Sequence, residues 1–420
     1  MLQRFVDPSS EGWRRDFLLV WSGSAVSLLG SRAAGFAYPL LALALTGSPV
    51  AAGWVGFAAR LPNLLFYLPA GVMVDRHDRV RLMLISQSVR GIAVMVLVIS
   101  LSTGARSLPL LIAVAFVEGS MAVLYTVTET TAIGRIVPPE HLSGAMSKAE
   151  GRDHAGAVLG LPVGGLLFGI GRVWPFAFNA LTYLFSVVTI TLIRNPVGIS
   201  AHSHDHAGLK QTMGGIGEGA KLIWHSAFLR TTTIVAAGTN VLFQMTILLI
   251  IVRGQEQGSP EASTGLILAA TGAGGVLGSV VVPRLMRSRS MSSMIVLGTW
   301  LWTAAMTSMT VSSHPYVLAV SWASVGLVGS LMNIAISTYQ VRTVPGLLLG
   351  RVIGASRSVY FGVIPLGSMT GGYVIARAGV DLTALSVAVV MAMFAVLATL
   401  YGKRMRAEEL GPPRPSAPVR

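Results

Sequence analysis

Long apolar stretches alternate with short polar segments along nearly the whole chain. A helix needs about 20 mostly apolar residues to cross the hydrocarbon core of a bilayer. Twelve stretches reach this length, and the pattern predicts a transmembrane helix in each of them. The predicted spans are residues 17–45, 50–74, 80–102, 108–136, 150–170, 173–193, 231–252, 263–285, 291–312, 316–339, 352–377 and 382–402. We therefore expect an all-α integral membrane protein with twelve transmembrane helices.

The composition excludes a water-soluble protein of this length. Of the 420 residues, 53% are hydrophobic and only 11% are charged, so polar side chains are too few to cover a soluble surface. The apolar surface is predicted to face a lipid bilayer. A net charge of +14 suggests nucleic-acid binding in a soluble protein. Here the charges lie between apolar runs, so no nucleic-acid partner is expected.

Positive charges are distributed unevenly between alternate loops. With the N-terminus inside, the predicted external loops hold Arg106, Arg172, Arg253 and Arg377, whereas most of the 31 Lys and Arg residues fall in cytoplasmic segments. Cytoplasmic loops retain positive charge during insertion, so both termini are expected in the cytoplasm. Arginine far outnumbers lysine, as in proteins from GC-rich bacterial genomes. We expect a multi-pass protein of the bacterial cell (inner) membrane.

The longest polar connection, residues 194–230, divides the chain into two sets of six predicted spans. Pro162 and Gly164 recur as Pro365 and Gly367, at an offset of 203 residues. Duplicated six-span halves are common in transporters, so we expect two pseudo-symmetric bundles. The predicted domains are an N-terminal six-helix bundle at 1–193, a cytoplasmic linker with an amphipathic segment at 194–230, a C-terminal six-helix bundle at 231–402 and a cytoplasmic tail at 403–420.

A charged motif fills the predicted inner loop between spans 2 and 3, which reads GVMVDRHDRVR over residues 71–81. Aspartates and arginines on a tight loop form ion pairs that break and re-form as helices shift, although a solvated turn is the simpler alternative. The spacing resembles the signature loop of the major facilitator superfamily. The matching residues are Gly71, Asp75, Arg76, Asp78, Arg79 and Arg81.

The resemblance extends over most of the chain. The segments Arg60–Pro62, Leu68–Gly71 and Ile136–Pro138 are similar to those of the branch that contains macrolide-efflux proteins and the enterobactin exporter. This resemblance implies proton-coupled export by alternating access. The implied small-molecule substrate is a drug, a macrolide-like antibiotic or a siderophore-like metabolite. A facilitator-fold importer and a non-transporting membrane scaffold are the alternatives.

Span 5 carries a glycine-rich run that is similar to the run found in antiporter-type members. Glycines match at Gly156, Gly160, Gly164 and Gly165, but Leu161 stands where that run has a proline. The run favours antiport. Ordinary close packing by small residues is the alternative interpretation.

Span 4 carries two acidic residues, which are costly inside a membrane and need a partner or a function. Glu118 and Glu129 are eleven residues apart, so on a helix they lie within about 20° of each other and about 16 Å apart, with Tyr125 on the same face. Glu118 is interpreted either as a permanent partner of Arg90 or as a substrate-facing group. Because no charged residue lies within a turn of Glu129, it is predicted to bind protons more readily.

Polar stripes on spans 1, 7 and 10 are predicted to line a central cavity, because the resemblance implies that spans 1, 4, 7 and 10 surround it. Arg32, Asn240, Gln244 and Asn333 are the candidate substrate contacts in these stripes, together with Tyr125 on span 4. Hydroxyl groups that mediate helix packing are the alternative explanation of the stripes.

The resemblance also implies an inner gate. Asp75 is expected to approach the positive N-terminal end of span 11 when the inner side closes, and Asp153 and Arg357 are predicted to form a second clasp. The alternatives are that Asp75 only organises its own loop and that Asp153, not Glu129, carries the proton.

The sequence contains no motif of an enzyme active site. Neither H-E-x-x-H nor G-x-S-x-G occurs, and the G-x-x-x-x-G-K-[ST] loop that binds ATP phosphates is missing. We therefore expect a transporter rather than an enzyme, with no cofactor, no metal and no ATP.

Overall fold

A computed structural model describes residues 12–193 except 106, residue 217 and residues 220–410. These residues form long helices joined by short turns, and the described part contains no strand. The helices are α1 (Gly12–Thr46), α2 (Pro49–Arg76), α3 (Arg79–Ser102), α4 (Leu108–Ile136), α5 (Pro139–Ile170), α6 (Trp174–Thr191), α7 (Ala227–Glu256), α8 (Glu261–Leu285), α9 (Met291–Val311), α10 (Pro315–Thr343), α11 (Gly346–Gly362) and α12 (Ile364–Leu410). The predicted all-α class is confirmed.

The number of spans depends on how two bent regions are counted. The described residues contain ten helices that are long and apolar enough to cross a membrane, or eleven if both parts of α2 are counted as one span. The two parts of α2, Pro49–Tyr67 and Pro69–Arg76, are bent by 58°. A proline removes a backbone donor and kinks a helix. The last two predicted spans fall in one stretch, Leu348–Glu409, which is interrupted at Gly379 with φ 76°.

The helices turn large apolar side chains outward. On α6, Leu181 and Leu184 are 62% and 59% exposed, whereas Asn179 and Tyr183 are fully buried. A soluble helix has the opposite arrangement, with its apolar stripe facing the core. The outer face of α6 therefore suits contact with lipid, and its polar residues face the protein interior.

Packing divides the described chain into two compact units. The first contains the described residues of 1–204 together with Ile250–Ala269 and Ser368–Ala376, and the second contains the described residues of 205–249, Ala270–Gly367 and the described part of 377–420. Most of the predicted linker and residues 411–420 of the predicted tail lie outside the described residues. The predicted domain boundaries remain predictions.

Glycines at matching positions permit close helix contacts in each unit. A Cβ atom added to Gly164 would lie 2.5 Å from the carbonyl oxygen of Ala33, and one added to Gly367 would lie 2.5 Å from the carbonyl oxygen of Val241. Side chains do not approach a backbone oxygen so closely, so α5 packs on α1, and α12 on α7, at distances that require glycine. Gly164 and Gly367 form one of the residue pairs that are separated by 203 positions in the sequence.

The glycine-rich run of span 5 has a packing role. A Cβ atom added to Gly156 would lie 2.8 Å from Leu28 on α1, and one added to Gly160 would lie 2.3 Å from the Cβ atom of Arg32. The small residues therefore form the surface on which α1 rests. This supports the packing interpretation of the run.

Candidate functional site

The interior of the first unit holds a buried carboxylate, Glu118 on α4, which is 6% exposed. Its Oε2 atom accepts a hydrogen bond from the Tyr38 hydroxyl at 2.5 Å. Its Oε1 atom accepts from Asn179 Nδ2 at 3.0 Å and from the Tyr183 hydroxyl. Helices α1 and α6 thus supply three donors to one carboxylate on α4. Such hydrogen bonds offset the desolvation of a buried charged group.

Arg90 on α3 supplies the positive charge. Its Nη2 atom lies 3.8 Å from Glu118 Oε1 and donates to Ser31 Oγ at 2.9 Å. Its Nη1 atom donates to Gln87 Oε1 at 3.0 Å. The guanidinium carbon lies 4.3 Å from the ring centre of Tyr183. The structure therefore places Arg90 beside Glu118, and the role of Glu118 remains a prediction.

The polar contacts continue from Arg90 towards the predicted inner side of the membrane. Gln87 Nε2 donates to Ser186 Oγ at 2.8 Å, and Ser186 hydrogen-bonds Tyr125. The Tyr125 hydroxyl lies 2.6 Å from Ser24 Oγ. Residues of α1, α3, α4 and α6 thus form one buried polar network. Breaking these contacts would leave buried polar groups unpaired, which is costly, so the network fixes the helices relative to one another.

Glu129 on α4 has a different environment. Its Oε1 atom lies 2.5 Å from Nη1 of Arg152 on α5, and both side chains are 8% exposed. Arg152 also contacts its neighbour Asp153, with Nε and Nη2 lying 3.1 Å and 2.9 Å from Oδ1. The Asp153 side chain is 49% exposed. The Arg152 guanidinium therefore bridges the buried carboxylate of Glu129 and the exposed carboxylate of Asp153.

The two span 4 carboxylates differ in their contacts. Glu118 receives three hydrogen bonds and lies near Arg90. The described contact of Glu129 is with the guanidinium of Arg152 on α5. The prediction that Glu129 binds protons more readily assumed that no charged residue lies close to it, whereas Arg152 does. Which carboxylate carries the proton remains a prediction.

The polar stripe on span 1 does not line a cavity as predicted. Ser24, Ser27 and Tyr38 are 3%, 2% and 5% exposed. Ser24 contacts Tyr125 and Tyr38 contacts Glu118, so the stripe faces the interior of the first unit. The prediction was wrong because the partners of these hydroxyls lie on other helices. Arg32, by contrast, is exposed and lies in the electrostatic field of Asp153.

The signature loop combines a helix cap with a charge cluster. Asp78 is the N-cap of α3, and its Oδ1 atom accepts a hydrogen bond from the Arg81 backbone N–H at 2.8 Å. Arg79 is 3% exposed and lies in the fields of Asp75, Asp78 and Arg135. Asp75 and Arg76 are exposed, whereas Gly71 is half-buried.

Four predicted residues belong to the second unit. Asn240 Nδ2 donates to the Tyr360 carbonyl oxygen at 3.1 Å, and Arg357 hydrogen-bonds the Tyr360 side chain. Gln244 is 5% exposed, whereas Asn333 is exposed. The structure therefore joins Glu118 and Tyr125 through one network and groups Glu129 with Asp153. The predictions for Asn240, Gln244, Asn333 and Arg357 remain untested.

Sequence reasoning missed three members of the site. Arg152 lies at the start of predicted span 5 and carried no prediction, while Asn179 and Tyr183 fall in a span dominated by apolar residues. A usable signal existed for α6: Asn179 and Tyr183 lie four residues apart and hence on one helical face. No local pattern identifies Arg152, because 23 residues separate it from Glu129.

Two curated relatives are efflux proteins. The chain is 27% identical over 415 residues to the multidrug efflux pump Tap of Mycolicibacterium fortuitum, and the alignment covers 94% of the chain and 98% of that protein. It is 24% identical over 185 residues to macrolide efflux protein A of Streptococcus pyogenes, covering 44% of the chain and 46% of that protein. These relatives agree with the efflux branch that the sequence resembles.

Solved transporter structures share the fold. The nucleoside transporter NupG superposes with a TM-score of 0.73 at 12% identity, covering 92% of the chain and 98% of that protein. A bacterial homologue of the iron transporter ferroportin superposes with a TM-score of 0.66 at 18% identity, covering 93% and 99%. At these identities the likeness shows the fold alone.

The family model described as Major Facilitator Superfamily matches residues 20–297. This segment includes the signature loop and the whole buried polar network. The prediction of a multi-pass membrane transporter rather than an enzyme is thereby confirmed. Because the match covers well over half of the chain, the protein belongs to the Major Facilitator Superfamily.

Proposed function

We propose that the protein is a proton-coupled exporter that moves a small amphipathic molecule out of a bacterial cell by alternating access. The observation that carries the proposal is the similarity to the multidrug efflux pump Tap over 94% of the chain. The shorter similarity to macrolide efflux protein A adds support. The substrate class is a drug, a macrolide-like antibiotic or a siderophore-like metabolite.

We propose a membrane topology of twelve spans in two bundles of six, with both termini in the cytoplasm. The stretch Leu348–Glu409 has 62 residues. At 1.5 Å per residue, a helix of this size is about 93 Å long, which is about three times the hydrocarbon thickness of a bilayer. Two spans with a turn at Gly379 fit that length. The matching close contacts of Gly164 and Gly367 support a duplicated architecture. The proposed domains are the two six-helix bundles at 1–193 and 231–402, the linker at 194–230 and the cytoplasmic tail at 403–420.

The proposed proton carrier is Glu129. It is buried on a helix that crosses the membrane, and its described ionic partner is Arg152. Glu118 is proposed to have a structural role because its oxygens receive three hydrogen bonds. Asp153 is the alternative carrier, since its side chain is half exposed beside the same arginine.

The proposed substrate pathway includes Arg32, an exposed residue near the middle of α1. Asn240, Gln244 and Asn333 complete the proposed set of substrate contacts in the second half. The inner gate is proposed to involve Asp75 of the signature loop and a clasp between Asp153 and Arg357. The exposure of Asp75, Asp153 and Arg357 supports this role, because gate residues must be free to exchange partners.

Accumulation of ethidium and erythromycin in expressing cells tests the direction of transport. Expressing cells should accumulate less of at least one compound than cells with the empty vector. A protonophore should abolish the difference, because it collapses the gradient that drives export. Higher accumulation would identify an importer, and equal accumulation of both compounds and of a wider panel of antibiotics would identify a scaffold. Cells that express Glu140→Gln serve as a control and should accumulate as little of the compound as cells with the intact protein, since Glu140 is exposed in the first turn of α5.

A further inference from the structure

Arginine side chains and aromatic rings meet where α7 begins and the last helix ends. The guanidinium carbon of Arg230 lies 5.9 Å from the ring centre of Trp224 and 5.9 Å from that of Tyr401. The guanidinium carbon of Arg404 lies 5.7 Å from the ring centre of Tyr401. Arg230 also donates from Nη1 to the Trp224 carbonyl oxygen at 3.2 Å. These four residues, Trp224, Arg230, Tyr401 and Arg404, are called the aromatic–basic cluster.

The position of the cluster along the chain places it at the membrane surface. Arg230 directly precedes the predicted span 231–252, and Tyr401 is among the last residues of the predicted span 382–402. Tryptophan and tyrosine favour the level of the lipid headgroups, because one end of the side chain is apolar and the other is polar. Trp224 is 65% exposed, so its ring is open to contact with lipid.

A row of apolar residues on α12 leads to the cluster. Met393, Val396 and Leu400 are 65%, 46% and 72% exposed. Their spacing of three and four residues places them on one face of the helix. The next positions on that face are Lys403 and Arg404, which are also exposed. The face therefore changes from apolar to basic at the end of the predicted span, where acyl chains give way to headgroups.

The positive charge of the cluster is not used by carboxylates of the described residues. Within the described part of the chain, the ion pairs include neither Arg230 nor Arg404. The acidic residues that follow Arg404 are Glu408 and Glu409. They accept hydrogen bonds from backbone N–H groups at the starts of α7 and α9. Two guanidinium groups beside one aromatic ring thus suit an anion from outside the protein.

We propose that the aromatic–basic cluster binds the headgroup of an anionic phospholipid. Arg230 and Arg404 bind the phosphate, since a guanidinium donates two parallel hydrogen bonds to phosphate oxygens. Trp224 and Tyr401 hold the guanidinium groups by cation–π contacts, and the acyl chains lie along the apolar row of α12. The inference does not require export. It rests on the proposed topology only for the leaflet, which is then the inner one.

The net charge of the headgroup should decide which lipid binds. Lys221, Lys403 and Arg406 are exposed close to the cluster in the sequence and add to its positive charge. Basic residues at a membrane surface attract anionic lipids. A zwitterionic lipid carries the same phosphate but also a positive choline or amine group, so it is attracted less. The expected ligand is therefore a lipid such as phosphatidylglycerol.

Native mass spectrometry of the purified chain in detergent tests the proposal. The chain is titrated with phosphatidylglycerol or with phosphatidylcholine of the same acyl chains, and the dissociation constant of the first bound lipid is measured. The intact chain should prefer phosphatidylglycerol. Because each basic residue contributes about fivefold to the binding of an anionic lipid, the double change Arg230→Gln and Arg404→Gln should weaken that binding by about 25-fold.

Two further variants keep the result specific. The double change Arg230→Lys and Arg404→Lys keeps both charges and should retain most of the preference for phosphatidylglycerol. The matched control is the double change Arg287→Gln and Arg289→Gln, which removes two exposed arginines from the turn between α8 and α9. It should bind phosphatidylglycerol as tightly as the intact chain.

Quenching by brominated lipids locates the bound lipid. The chain is reconstituted in vesicles of phosphatidylcholine and phosphatidylglycerol in which only one of the two lipids is brominated. The quenching that disappears in Trp224→Phe is due to Trp224. Brominated phosphatidylglycerol should quench Trp224 more strongly than brominated phosphatidylcholine, and the difference should vanish when Arg230 and Arg404 are both changed to Gln.

The outcomes separate this inference from the proposed export. Equal affinity of the intact chain for the two lipids would overturn the lipid site, even if the chain exports a drug. An equal loss in the control variant would also overturn it, because general positive charge would then explain the binding. Displacement of the lipid by excess inorganic phosphate would indicate a site for a small anion instead. Selective binding that only the cluster variant loses would support the lipid site in a chain that exports nothing.

Discussion

The two halves of the chain use acidic residues in different ways. In the first half, Glu118 and Glu129 are buried inside the membrane-spanning helix α4 and are held by arginines. In the second half, none of the acidic residues of 231–402 lies within a predicted span. Its best-connected carboxylates, Glu408 and Glu409, lie beyond the last predicted span. Among the described residues, buried carboxylates within predicted spans are therefore confined to the first half.

The carboxylates of the second half cap two helices. Glu408 accepts from the backbone N–H groups of Ala227 and Phe228 at 2.7 Å and 3.1 Å, at the start of α7. Glu409 accepts from those of Met291 and Ser292 at 2.8 Å and 3.1 Å, at the start of α9. A carboxylate at a helix N-terminus satisfies free donors and complements the helix dipole. This use of charge stabilises the fold and requires no proton exchange.

The largest effect on stability should come from breaking the buried ion pair. Arg90→Leu leaves Glu118 as a buried carboxylate without a counter-ion, which costs about 3–5 kcal/mol. The apparent melting temperature in detergent, followed by tryptophan fluorescence, should fall sharply. Adding Glu118→Gln removes the stranded charge and keeps a hydrogen-bond acceptor, so it should recover most of the loss.

The matched variant in the second half is Arg357→Leu, which removes an exposed arginine. It should change the unfolding free energy by about 0.5 kcal/mol or less. Equal losses of unfolding free energy in Arg90→Leu and Arg357→Leu would contradict the claim that buried carboxylates within predicted spans are confined to the first half.

A smaller effect, equal in the two halves, is expected at the paired glycines. Gly164→Ala and Gly367→Ala each place a Cβ atom 2.5 Å from a backbone oxygen, and relieving that overlap should cost about 1–3 kcal/mol. Gly134→Ala and Gly354→Ala are the controls, because nothing lies within 4 Å of the added atom. A loss at Gly164 without a comparable loss at Gly367 would show that the scaffold itself is not duplicated.

The smallest effect should follow from removing the caps. Glu408→Ala and Glu409→Ala should each cost about 0.5–2 kcal/mol, as the loss of a helix cap does. Their effects should be nearly additive in thermal unfolding, because the carboxylates cap different helices. A double variant no less stable than either single variant would mean that the two caps do not act independently.

The Glu408 cap also predicts a pH dependence. Burial raises the pKa of Glu408, but hydrogen bonds from Ala227, Phe228, Ser226 and Tyr339 outweigh it, so the pKa lies below the ordinary value of 4.5. A depressed pKa stabilises the folded state above about pH 4.5, and this contribution is lost as the pH falls further. The stability difference between the intact chain and Glu408→Gln should therefore shrink between pH 5 and pH 3. A difference that grows on acidification would contradict this assignment.

The sequence predicted the helices well and the contacts between them poorly. Apolar run length is a local property, so the spans around Glu118 and Glu129 followed directly from it. The pairing of Glu118 with Arg90 was one of two interpretations, because both residues fall at similar depth. Arg152 was missed because its contact with Glu129 depends on how α5 packs against α4, which the local pattern does not specify.

The α1 stripe shows the same limit. Ser24, Ser31 and Tyr38 are spaced seven residues apart, and helical periodicity predicts that they share one face of α1. It did not show whether that face meets a cavity or other helices. The answer depends on Tyr125, Tyr183 and Glu118, which lie about 80 to 150 residues further along the chain.

Drug-driven proton release from proteoliposomes tests the central claim most directly. The chains compared are the intact protein, Glu129→Gln, Glu118→Gln, Asp153→Asn and the Glu140→Gln control, with the compound that the accumulation assay identifies. We predict proton release by the intact protein, by Asp153→Asn and by the control, and none by Glu129→Gln. Normal release by Glu129→Gln together with its loss in Asp153→Asn would contradict the account and move the coupling site to α5.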